Sequence, residues 1–169
     1  MPPGPLSVSD WIVIDQPRVD AFGTATHHPH WLHTDPHRAA AESPYGGTVA
    51  HGFLILSLIN HAIDQCGLRP TDSPYALNYG VDKVRFLKPM LIGTGFRIRD
   101  RITLVSADMR DARLFTRTGH AFEIEGDQDE KPGKAAEIGQ HSDAVNSRRG
   151  RHDESDSANE GAPENFYPA

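Results

Sequence analysis

The clearest apolar stretch of the chain covers residues 49–66 (VAHGFLILSLINHAIDQC), eighteen positions without a proline. Thr48 stands before it as a candidate cap and Gly67 after it as a terminator, the residue types that start and stop α-helices. Its apolar positions (Val49, Phe53, Leu54, Ile55, Leu56, Leu58, Ile59, Ala62, Ile63) go nearly all the way round a helix. That distribution predicts a helix buried on most faces. It is too short, and too interrupted by His51, Asn60 and His61, to cross a membrane. Further along, the period changes to two. Phe96, Ile98, Ile102 and Leu104 fall on one face and Arg97, Arg99 and Arg101 on the other, which predicts a half-solvated antiparallel strand. Residues 114–125 read as its partner, joined through turn-prone residues 107–112, and residues 75–87 read as a third strand closed by Lys88-Pro89 and Gly93. One buried helix with several antiparallel strands predicts an α+β fold, a sheet wrapped around a central helix.

A length of 169 residues suits a single domain. With 17 basic and 23 acidic side chains the net charge is −6, which argues against a nucleic-acid or anionic-membrane partner. A lone cysteine, Cys66, excludes a disulfide framework and a four-cysteine zinc site. No secretory signal or transmembrane run is visible, so a cytoplasmic protein is expected. Residues 126–169 hold 10 acidic and 5 basic side chains, nearly all of the excess negative charge. Their apolar residues are mostly alanine, with Ile138, Val145, Phe166 and Tyr167 scattered among them. Too little apolar surface is available there to offset chain entropy. The expected division is therefore a domain over residues 1–139, whose stretch 126–139 composition leaves open, and a disordered acidic tail over 140–169. Pro2, Pro3 and Pro5 suggest a frayed start.

The candidate chemistry lies in two segments. Residues 22–38 (FGTATHHPHWLHTDPHR) place His27, His28, His30, His33 and His37 within eleven positions. A histidine-rich surface loop, a transition-metal site and an acid–base site are all compatible with that composition. No H-E-x-x-H pattern is present, and Pro29 and Pro36 argue against a regular helix, so no metal is expected. Residues 43–53 (SPYGGTVAHGF) bring glycines into the start of the buried helix, where free N–H groups can stabilise an oxyanion or simply make a turn.

Taken in order, residues 22–40, 42–58 and 78–89 (NYGVDKVRFLKP) resemble the MaoC-like hydratase/dehydratase family of hotdog proteins. The resemblance implies a hotdog fold and the addition of water to, or its removal from, the double bond of an acyl thioester on coenzyme A or acyl carrier protein. It implies a catalytic pair, an Asp in a T-G-D sequence and a His five positions on. The His is similar to His33; the Asp position holds His28 and the preceding Gly position holds His27, in Thr26-His27-His28. The catalytic residues implied are thus His28 and His33, with an oxyanion N–H at Gly52, and Ser57 and Asn60 as polar neighbours of the pocket. No cofactor is implied. Two other readings stay open at this point: a pocket reassigned to cyclisation, isomerisation or thioester hydrolysis, and a non-catalytic acyl-binding dimer. A homodimer is expected in each case, because one such sheet leaves an edge to be paired.

Overall fold

The structure is a computed structural model, and it describes residues 3–71, 75–93, 96–110, 113–126 and 134–145. Six strands, β1 (Gly4–Val8), β2 (Ile12–Val13), β3 (Ala76–Phe86), β4 (Arg97–Arg110), β5 (Arg113–Ile124) and β6 (Lys134–Val145), make one sheet. Its order is β1-β4-β5-β6-β3, with β2 also on β4, and every pairing is antiparallel. The alternation in β4 acts as expected. Ile98, Ile102 and Leu104 are buried, while Arg97 pairs with Glu125 and Arg99 and Arg101 both pair with Glu123. Against the inner face lie α4 (Gly52–Ser57) and α5 (Ile59–Gln65). Leu54, Ile55 and Ile59 meet Ile98, Phe122 and Ile138 of the sheet, and Ile12, Ile14 and Val19 close the core. This is the expected α+β hotdog arrangement.

The central helix differs from the expected single run. Residues 48–50 are drawn into extended pairing, with Ala50 N–H donating to the Met90 carbonyl and Ile92 N–H to that of Thr48, each at 2.8 Å. Thr48 therefore caps nothing; the helix opens at Gly52 with His51 at its N-cap position. The run breaks at Leu58, just after the Ser57 hydroxyl donates back to the Leu54 carbonyl at 2.7 Å, a competition that bends helices. Burial is also one-sided, since Phe53 is 68% exposed. Gly67 does end the helix, in the left-handed region at φ +61°.

Three further expectations are corrected. The histidine-rich segment is helical in pieces, within α1 (Gln16–Ala25), α2 (Trp31–Thr34) and α3 (Pro36–Glu42). Pro36 opens α3 at a position where its missing N–H costs nothing. The proline-rich start is not frayed from Gly4 onward, because β1 pairs with β4. The sheet also runs past residue 139: β6 pairs with β5 and β3 as far as Val145, so residues 140–145 belong to it. Two-sided ladder pairing holds a strand whose composition alone does not. Residues 146–169 lie outside the described residues, as do 111–112 between β4 and β5.

Candidate active site

α1 begins on a legible signal. The Asp15 carboxylate accepts from Arg18 N–H at 3.1 Å and Pro17 occupies the first turn. It ends in a Schellman turn: His27 N–H donates to the Thr24 carbonyl at 3.2 Å and His28 N–H to that of Gly23 at 2.8 Å. His27 takes the left-handed residue of that turn at φ +54°, a conformation glycine adopts without strain. The chain thereby reverses and carries His28 back over Gly23. A Cβ on Gly23 would lie 3.3 Å from the His28 carbonyl oxygen and 3.4 Å from the His51 ring.

α2 presents His33 from the other side. His30 caps this short helix through Nδ1, which accepts from Leu32 N–H at 3.3 Å. Val49 holds the helix twice, its N–H donating to the Leu32 carbonyl at 3.1 Å and its carbonyl accepting from His33 Nδ1 at 2.8 Å. Gln16 adds a second brace. Its amide nitrogen donates to the His33 carbonyl at 2.6 Å, and its oxygen accepts from the Thr48 hydroxyl at 2.7 Å.

Three imidazoles gather around His33. His51 stacks on it with ring centroids 3.8 Å apart and planes 27° apart. His28 faces it at 6.2 Å with a 56° tilt, and His30 lies at 6.2 Å from it and 5.9 Å from His28. The proton positions follow from the carbonyls. A carbonyl only accepts, so His33 carries its hydrogen on Nδ1 and, when neutral, leaves Nε2 as a free base. His51 donates Nε2–H to the His28 carbonyl at 3.3 Å, and its Nδ1 is buried without a partner. Burial pushes both His33 and His51 below the ordinary histidine value of 6.5; the accepting carbonyls pull back, and the neighbouring histidines lower them further. Both shifts favour the neutral ring. With His33 Nδ1, His51 Nε2 and His30 Nδ1 already engaged, no group of three or more His, Cys, Asp or Glu among the described residues is arranged for a metal ion.

The other site residues expected from the sequence fall in different places. Gly52 is next to His51 at the start of α4, and a Cβ there would meet the Phe86 ring at 2.7 Å. Ser57 spends its hydroxyl on the Leu54 carbonyl on an exposed face, and Asn60 lines a cavity under α5 rather than the histidine group. His51, Gln16 and Thr48 are site residues that the pattern did not single out. His51 had one signal, a histidine directly before the glycine that opens a buried helix. Gln16 had none, being 17 residues from the group it braces.

Residues 2–119 match the MaoC like domain family. Over 132 residues the chain is 40% identical to nodulation protein N of Rhizobium leguminosarum bv. viciae, covering 78% of this chain and 80% of that protein. Over 130 residues it is 38% identical to 3-hydroxyacyl-thioester dehydratase Z of Mycobacterium tuberculosis, covering 76% of this chain and 82% of that protein. Among solved structures, the unliganded R-hydratase of Pseudomonas aeruginosa superposes with a TM-score of 0.66 at 17% identity, over 86% of this chain and 83% of that one, a likeness of fold.

Proposed function

The chain belongs to the MaoC-like domain family, and from that premise we propose that it is an acyl-thioester hydratase/dehydratase in which His28 stands where the family uses an Asp. The substrate is an enoyl or 3-hydroxyacyl thioester of coenzyme A or acyl carrier protein; the name of the mycobacterial relative, a 3-hydroxyacyl-thioester dehydratase, supports that class. Hydration joins the oxygen of water to the β-carbon, gives one water proton to a base and delivers a proton to the α-carbon. His33 Nε2 is the base, free because Nδ1 donates to the Val49 carbonyl. His28 is the acid, its ring centroid 6.2 Å from that of His33. The Gly52 N–H takes the developing charge on the thioester oxygen. Dehydration runs the same transfers backward.

The observation that carries this reading is the pair itself, the His28 and His33 rings 6.2 Å apart at a 56° tilt with His33 Nδ1 anchored on the Val49 carbonyl. It is tested by incubating the full chain with crotonyl-CoA and following loss of the conjugated enoyl absorbance. Mass spectrometry of the product should show the gain of one water. Binding of crotonyl-CoA without any product would contradict the proposal and favour an acyl-binding role.

A further inference from the structure

β4 and β5 carry a second polar constellation on the inward face of the sheet. His120 lies opposite Ile102 in the ladder and Asp100 opposite Phe122, so the two polar side chains meet on the diagonal. His120 Nδ1 is 2.6 Å from Asp100 Oδ2, and both side chains are fully buried. On the other side of the ring, His120 Nε2 is 2.9 Å from Thr118 Oγ1. Thr118 in turn lines a cavity of about 240 Å³ between α5 and the sheet, walled by Ile63, Leu68, Ile102, Leu104 and Leu114.

The core itself has no use for such a relay. Burying a carboxylate and an imidazole is commonly less stable than an apolar pair of the same size, and Asp100 Oδ1 has no hydrogen-bond partner. The neighbouring inward positions, Ile98 and Phe122, are filled by apolar side chains. The constellation also has a direction, from carboxylate to ring to hydroxyl to cavity.

We propose that this cavity is a ligand site in which Thr118, held by His120 and Asp100, recognises a hydroxyl group on an apolar chain. The hydroxyl follows from the proton count. With Asp100 taking Nδ1–H, a neutral ring accepts the Thr118 hydrogen on Nε2, and the Thr118 oxygen then accepts from the ligand. A protonated ring donates to Thr118 instead, and the Thr118 hydrogen is free to donate. A ligand hydroxyl serves both cases, being donor and acceptor at once. Thr118 binds rather than attacks: β5 is paired on both sides, by β4 and β6, which leaves no pair of free amides for an oxyanion beside it. The identity of the ligand rests on the thioester reading above: it is then an acyl thioester that carries a hydroxyl on its acyl group.

The test uses the full chain and two small probes of similar shape, 1-hexanol and 1-chlorohexane, titrated by calorimetry. The natural protein should prefer hexanol by about tenfold or more. Thr118→Val should cut the preference below about threefold and Thr118→Ser should keep it. The His120 Nδ1 proton, followed by NMR, should shift with hexanol and not with chlorohexane, a response that a merely structural pair does not give. Equal binding of the probes, no binding of hexanol, or an unchanged preference in folded Thr118→Val overturns the inference. So does an acyl group found on Thr118 after incubation with decanoyl-CoA. Displacement of hexanol by the CoA thioester of a terminally hydroxylated decanoic acid reports separately on the thioester reading. A hexanol preference without that displacement leaves the site standing and removes its thioester occupant.

Discussion

His27 holds a left-handed turn residue, φ +54°, without being glycine, and that turn delivers His28. Replacing it by glycine relieves strain in the fold and loosens the unfolded chain, two effects of opposite sign. His27→Gly is therefore expected to shift stability by no more than about 1 kcal/mol in either direction, read from denaturant midpoints. His33→Ala, which removes the base, is expected to lower kcat by about 100-fold or more while the chain stays folded. The acid limb of kcat/KM should report His33, whose value burial places below 6.5. Activity should rise with pH through that lowered value. Stability follows the same sign: the unfolded chain binds protons on His33 and His51 near 6.5, the folded chain only at lower pH. Between those values the unfolded state holds more protons, so stability falls as pH drops below about 6.5, and thermal melts over that range check it. That His28 and His33 lie together was legible through the family resemblance of residues 22–40. His51 was not, because its role comes from stacking on His33, a contact between residues 18 apart in sequence and brought together by the Val49 hydrogen bonds and the Gln16 brace.

The elements divide by how local their causes are. β4 was readable from alternation, since it buries one face by its own pattern, and β5 as its partner across a turn. β6 was not, because its place depends on two partner strands rather than on its own apolar content. The long central helix was readable in place but not in extent, because pairing of residues 48–50 with 90–92 takes its first turn and Ser57 disturbs its middle. α1 carried the start signal Asp15-Gln16-Pro17, which the histidine count beside it overshadowed. The limits of β6 give a truncation test. Removing residues 146–169 is expected to leave the melting temperature nearly unchanged. Removing residues 140–169 also strips paired strand from β5 and β3, and should cost more than about 5 °C. On the outer face of the sheet, burial pushes Glu123 up, but the Arg101 and Arg99 guanidiniums, each hydrogen-bonded to it, bring it below its ordinary 4.5. Its contribution is thus present above that value and lost as pH falls through the lowered one. Glu123→Gln should destabilise by about 1–2 kcal/mol at neutral pH and flatten the acid end of the stability profile.

At the scale of the molecule, β3 ends the sheet with one side unpaired among the described strands, and Leu77, Tyr79 and Val81 on it are 53%, 74% and 49% exposed. Phe53 extends this apolar surface by packing edge-on against Phe86 of β3 at 6.1 Å, beside Gly52. An open apolar edge of this kind is a pairing surface, and we propose that a second copy covers it, which sets the histidine group near the subunit boundary. Light scattering at micromolar concentration should give a dimer, and Tyr79→Lys should shift it toward monomer. The same geometry makes position 28 decisive for the whole account, since the proposed mechanism puts its acid there and the facing pair either works or does not. The most direct test is kcat/KM for crotonyl-CoA in the natural protein, His28→Ala and His28→Asp, compared under one condition. The account predicts loss of about 100-fold in His28→Ala and a gain of about tenfold in His28→Asp, which supplies a carboxylate beside His33, the latter about 1.4 kcal/mol of barrier. Equal rates in all three proteins would contradict it.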